Sequence, residues 1–208
     1  MKLLLSIPMG FVLLLLISTK GWSADFQKGL DAYKKKDYAN ALREWKPLAQ
    51  QGHTAAQYSL GVLYSKGEGI PQNHMTAVNW YTLAAEQGFS KAQYNLGGMY
   101  RNGKGVSQNN RIAVKWYTLA AEQGVAKAQN NLGLMYRDGE GVLQNHKAAV
   151  NWFILAAEQQ NAGGQFNLGV MYNKGNGVLQ DHKAAVKWFT LAANQGFVDA
   201  QFNLGVMY

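Results

Sequence analysis

The chain has 208 residues, 20 Lys and Arg against 12 Asp and Glu, a net charge of +8 and no cysteine. The missing thiols exclude disulfides, thiol catalysis, thiolate metal sites and a cysteine-attached lipid, and an apolar content of 48% excludes a disordered chain. The cationic excess admits acidic partners, nucleic acid or a membrane surface without selecting one.

The first element reads as an address. Met1 and Lys2 are followed by a nearly unbroken apolar run from Leu3 to Ile17, and then by Gly21, Trp22, Ser23 and Ala24 before the chain turns polar. A basic start, an apolar run of this length and a small-residue exit describe a secretory signal peptide over 1–24. Cleavage after Ser23 puts small residues at Gly21 and Ser23; cleavage after Ala24 is the alternative, with Asp25 as a natural mature start. The run falls short of the ~20 residues of a spanning helix. Losing Lys2 and Lys20 leaves +6, and the location expected is periplasmic or secreted.

Residues 25–52 pair two helices around Lys34, Lys35, Lys36 and Asp37, with a charged face suited to a capping unit. Beyond it the chain repeats itself. Gly61, Gly97, Gly133, Gly169 and Gly205 are spaced by 36, as are Tyr64, Tyr100, Tyr136, Tyr172 and Tyr208, and Trp80, Trp116, Trp152 and Trp188. The units are 53–88, 89–124, 125–160 and 161–196, with an incomplete fifth at 197–208.

The spacing predicts a helix A over Lys91–Tyr100, with Ala92, Leu96 and Tyr100 on one face, and a helix B from about Ala113 to Gln123. Gly97 beside Leu96 lets a partner helix approach, and Gly124 ends helix B with a positive φ. The pairs Gly67/Gly69, Gly103/Gly105, Gly139/Gly141 and Gly175/Gly177 form the connecting turns, not a phosphate cradle, which would need a third glycine and a preceding strand. Asn73, Asn109, Asn145 and Asp181 are the helix B caps. Gln160 replaces the terminal glycine of the third unit, and Gly163 and Gly164 replace Lys-Ala, so this junction is expected to be the softest of the array.

The unit A-x-x-x-L-G-x-x-Y-x-x-G-x-G-V, then A-x-x-W-Y/F-x-x-A-A-x-x-G, resembles the Sel-1-like repeat, a relative of the tetratricopeptide repeat, over Thr54 to Tyr208. The resemblance implies an all-α fold, an α/α right-handed superhelical solenoid whose helices A line the concave face. It also implies an adaptor or scaffold for other proteins. An exported branch with regular cysteine pairs includes proteins described as β-lactamases or penicillin binders; this chain has no such cysteines.

No Ser-x-x-Lys, Gly-x-Ser-x-Gly or His-Glu-x-x-His occurs. Glu68 and Glu140 are two repeats apart, and His74, His146 and His182 lie in successive or more distant units. With helices ~8–10 Å apart, neither set can converge on one reaction centre or one metal. No cofactor, metal site or catalysis is expected. The Trp and Tyr columns read as core.

Carried over from the tetratricopeptide register, helix A presents three columns to the groove. One is Ser59, Asn95, Asn131, Asn167 and Asn203. A second is Tyr58, Tyr94, Asn130, Phe166 and Phe202. A third is Val62, Gly98, Leu134, Val170 and Val206. Lys91 and Lys127 start the helix, and Arg101 and Arg137 follow its Tyr. A carboxamide can pair with both C=O and N–H of an extended peptide; the aromatics add apolar area and the cations favour an acidic segment. The same asparagines could instead bridge neighbouring helices.

The expected function is an exported, non-catalytic protein-interaction scaffold. The alternative is a cell-wall or polysaccharide-associated binding protein; a lactam hydrolase is third. Nucleic acid is disfavoured by the modest, dispersed charge and the export signal. Leu204 and Tyr208 are expected to lie uncovered, either because the chain is a fragment of a longer array or because a partner or second copy covers them.

Overall fold

The computed structural model describes residues 25–207. The expected signal peptide at 1–24 lies outside the described residues, as does Tyr208. The cap is α1 (Phe26–Lys34) and α2 (Tyr38–Gln50). The repeats follow as α3 (Thr54–Lys66) with α4 (His74–Glu86), α5 (Ser90–Asn102) with α6 (Asn110–Glu122), α7 (Ala126–Asp138) with α8 (His146–Glu158), and α9 (Ala162–Lys174) with α10 (His182–Asn194). α11 (Val198–Met207) is a further helix A. Among the described residues there is no strand, and each helix packs chiefly on its neighbours in the chain, the signature of a solenoid. None of these helices is long and apolar enough to cross a membrane.

Local signals set the helix ends. Asn73, Asn109, Asn145 and Asp181 each accept a hydrogen bond from the backbone N–H three residues on, as capping requires. Helix B therefore begins directly after its cap: α6 starts at Asn110, three residues before the apolar stripe that marks it in the sequence. The two loop glycines do different things. Gly103 ends α5 with φ +66°, while Gly105 has φ +74° and lies so close to the backbone of His74 in the preceding repeat that a Cβ there would collide with it. Gly-x-Gly is thus both a turn and the contact that seats one repeat on the last.

Inside each hairpin one device recurs. A Cβ added at Gly61, Gly97, Gly133 or Gly169 would stand 2.5–2.8 Å from the ring of Tyr81, Tyr117, Phe153 or Phe189. Each of these rings is at most 3% exposed. A helical glycine costs about 1 kcal/mol in propensity; burying an aromatic ring gains roughly 1.5–3 kcal/mol, so the exchange is favourable. The cap uses the same device with Gly29 against Trp45. Between hairpins, Trp80, Trp116, Trp152 and Trp188 are half-buried against the preceding core, and Tyr100, Tyr136 and Tyr172 each bridge two successive cores. Both columns pack, as expected.

A second ladder is polar. Gln57, Gln93, Gln129 and Gln165 are 3–4% exposed. Each donates to the carbonyl of Ala49, Ala85, Ala121 or Ala157 at the end of the preceding helix B, at 3.1–3.3 Å. Each also accepts from the amide of Gln87, Gln123, Gln159 or Gln195 at 2.7–2.8 Å. The ladder satisfies carbonyls that a helix end would otherwise leave unpaired.

The third junction departs from the others. Gln160 adopts φ +59° where Gly88, Gly124 and Gly196 adopt +81° to +86°, a conformation that costs an L-residue about 1–2 kcal/mol. Two features offset it. Asn161 caps α9 by accepting from Gly164 N–H at 2.8 Å, whereas Phe89 and Val125 give α5 and α7 no side-chain cap. A Cβ at Gly164 would stand 2.6 Å from that of Ala156, so the two helices approach more closely than an alanine would allow.

Candidate functional site

Helices A supply most of the lining of one face of the array, with the rings of Tyr81 and Tyr117 from α4 and α6 among them. Across α1, α3, α5 and α7 this face encloses an open pocket of about 770 Å³. The buried rings of Tyr81 and Tyr117, the half-buried rings of Tyr58 and Tyr94, and Asn95 and Asn131 from successive repeats line it. Lys66, Arg101 and Lys104 come from the C-terminal ends of helices A and the loops beyond.

The phenols neighbour amides. Burial pushes the phenol pKa values of Tyr58, Tyr81 and Tyr117 upward, and the nearby carboxamides of Asn95 (beside Tyr58 and Tyr81) and Asn131 (beside Tyr117) only partly oppose it. These three hydroxyls therefore stay protonated near neutrality. At the rim, Lys66 pairs with Glu68 at 3.3 Å, and the Glu68 carboxylate accepts from the Tyr33 hydroxyl at 2.6 Å. Arg101 pairs with Glu140 of the following repeat at 3.0 Å. Lys104 makes no ion pair among the described residues.

The structure brings together only part of the site expected from sequence. Tyr58, Tyr94, Asn95, Asn131 and Arg101 line the pocket. Lys91 and Lys127 are exposed at the opposite ends of α5 and α7 and do not line it. Asn167 is 7% exposed and bridges helices, donating to Asn130 at 2.9 Å and accepting from Arg137 at 3.3 Å. Arg137 also donates to Asp138 through Nε and Nη2, at 2.7 and 2.8 Å. Phe166 packs on Phe189 and Phe197. On α11, Phe202 is 72% exposed and Asn203 donates to the Asp199 carbonyl. Sequence reasoning missed Lys66 and Lys104, which flank the first loop glycines. It also treated Gly98 as one member of a column and not as a gap in it.

A regular stack of helical hairpins, each packed chiefly on its neighbours in the chain, defines a class: an α/α-repeat solenoid. Within that class the chain belongs to the Sel1 repeat family. The Sel1 repeat model matches residues 54–89, 90–125, 126–161, 162–197 and 198–208.

Among solved structures, the chain is similar to a Sel1 repeat protein from Oxalobacter formigenes, with 40% identity over 86% of this chain and 74% of that one and a TM-score of 0.81. It also resembles a protective antigen of uropathogenic Escherichia coli strains with this fold, at 33% identity over 89% of this chain and 49% of that one, TM-score 0.50. An immunity protein of Pseudomonas aeruginosa shares the fold at 19% identity, 85% and 69% coverage and TM-score 0.53. No curated protein matches the sequence. Sel1 repeats are in general scaffolds for protein–protein interaction.

Proposed function

We propose that the protein is an exported, non-catalytic scaffold that holds an extended segment of another protein along its concave groove. The observation that carries this reading is the open pocket of about 770 Å³, spread over four helices A and furnished with phenols and carboxamides. Three cations and no carboxylate line it; two of the cations are already paired with Glu68 and Glu140, so the pocket favours a segment of modest negative charge. Export rests on the basic, apolar and small-residue pattern of 1–24 and places the partner in the periplasm or outside the cell.

Two measurements test the reading. Cross-linking capture from envelope extract with the purified protein should fall at least tenfold in an Asn95→Ala/Asn131→Ala double variant whose thermal midpoint stays within a few degrees. Undiminished capture by that variant would remove the groove from the account. A fusion of 1–24 to an export-dependent reporter enzyme should be active; an inactive, cytoplasmic fusion would contradict export.

A further inference from the structure

We infer that the groove has one anchor point, a notch at Gly98 that takes a carboxylate-bearing side chain of the bound segment. The inference rests on the groove reading above and adds where the segment is gripped and by what chemistry.

Gly98 stands in the column of Val62, Leu134 and Val170, each of which puts an aliphatic side chain at the equivalent place. Nothing in the packing demands glycine there. Gly98 lies inside α5 with ordinary helical dihedrals. A Cβ would meet only the Tyr117 hydroxyl, at 3.4 Å, which is ordinary contact. Its neighbour Gly97 is the opposite case, with the Tyr117 ring 2.8 Å from an added Cβ. A helix-interior glycine without a steric reason lowers stability relative to an aliphatic residue. What this one does is leave the pocket open between Val62 and Leu134.

The chemistry around the notch is that of an anion seat. Tyr117 supplies a hydroxyl, and Asn102, whose amide is anchored to the Gly98 carbonyl at 2.8 Å, stands beside it. Lys66, Arg101 and Lys104 line the same pocket. Glu68 and Glu140 pair with Lys66 and Arg101 without lining the pocket themselves. Lys104 has no such acid among the described residues. One uncompensated cation with neutral donors fits a single carboxylate better than a run of negative charge. Asn95 and Asn131, one repeat apart, offer both donors and acceptors, which suits the alternating N–H and C=O of a peptide. A uronic acid chain carries the same carboxylate and is the discriminating probe.

The test is a titration of ¹⁵N-labelled protein followed by the amide signals of Gly97 and Gly98. The probes are acetyl-Leu-Ala-Glu-Ala-Leu-amide, its Gln counterpart and trigalacturonate. The Glu peptide should shift both signals saturably, with the Gln peptide and the K104E variant at least tenfold weaker. G98L should abolish the binding, with its unfolding midpoint unchanged or raised. Equal binding of the Gln peptide, retained binding by G98L or unmoved glycine signals would overturn the notch. Tighter binding of trigalacturonate would overturn the peptide assignment. If G98L retains the Glu peptide while the Asn95→Ala/Asn131→Ala variant loses protein capture, the notch fails and the groove reading survives.

Discussion

The first two repeats floor the groove with Tyr81 and Tyr117, while the third and fourth put Phe153 and Phe189 in the same places. All four rings perform the same packing task against a helix A glycine. The hydroxyl is therefore not needed for the fold, and its presence in one half marks a difference in surface chemistry. The other columns follow. Around the first two repeats, Asn95 and, reaching in from the third, Asn131 neighbour the phenols of an open pocket, and Gly98 widens it. In the second half, Asn167 is closed into a bridge with Asn130 and Arg137, and Leu134 and Val170 fill the column that Gly98 leaves empty. Near-identical repeats thus divide into a receptive half and a self-satisfied half.

The largest expected effect separates the packing face of helix A from its groove face. G133V would place side-chain atoms within the ring of Phe153 and should lose about 3 kcal/mol in denaturant unfolding. G98L, one position along in the equivalent helix, should gain roughly 0.5–1 kcal/mol from helix propensity. A comparable loss in both would erase the distinction.

The polar ladder should show no difference between halves. Q93A and Q129A each remove a buried amide that serves two partners, and each should cost about 1–3 kcal/mol. A negligible cost at either position would mean that the ladder does not join the repeats.

The hydroxyl contrast can be inverted directly. F153Y would bury a hydroxyl beside Asn167, whose carboxamide is already engaged with Asn130 and Arg137, at a cost of about 1–2 kcal/mol. Y117F should cost about 1 kcal/mol or less while weakening capture in the groove. If the two substitutions behave alike in stability and in capture, the halves are not chemically distinct.

The smallest effects lie at the third junction. N161A should lose about 1 kcal/mol with the α9 cap, and Q160G should gain up to about 1 kcal/mol by relieving a positive φ. Native-state hydrogen exchange should then show this junction no longer faster than its neighbours in Q160G. Unchanged exchange would place the weakness elsewhere.

The solenoid was legible in the sequence because its signals are local and repeated four times. Capping asparagines, loop glycines and the pairing of a helix A glycine with a helix B ring all stand at fixed offsets. The apolar stripe alone misplaced the start of helix B, since the first turn after Asn109 carries Asn110 and Arg111 and looks like loop. The glutamine ladder escaped because a polar residue at helical spacing reads as surface until the neighbouring helix end is known. The groove was legible as columns but not as a shape. Lys91 and Lys127 belong to the opposite end of the helix from the pocket, and which cations converge depends on the loop that carries Lys104. Asn95 and Asn167 share a register, yet only the latter meets Asn130 and Arg137, where the corresponding residues before Asn95 are Tyr58 and Ser65.

Site-specific photocross-linking tests the central claim most directly. A photoreactive phenylalanine would be placed in turn at Tyr94 on the open groove, at Phe166 in the closed half and at Leu83, half-exposed on helix B. In envelope extract, a discrete adduct should form from position 94 and be lost when G98L is added, with little from 166 or 83. Adducts from position 83 that equal or exceed those from 94, or no adduct at 94, would contradict the assignment of the groove as the binding face.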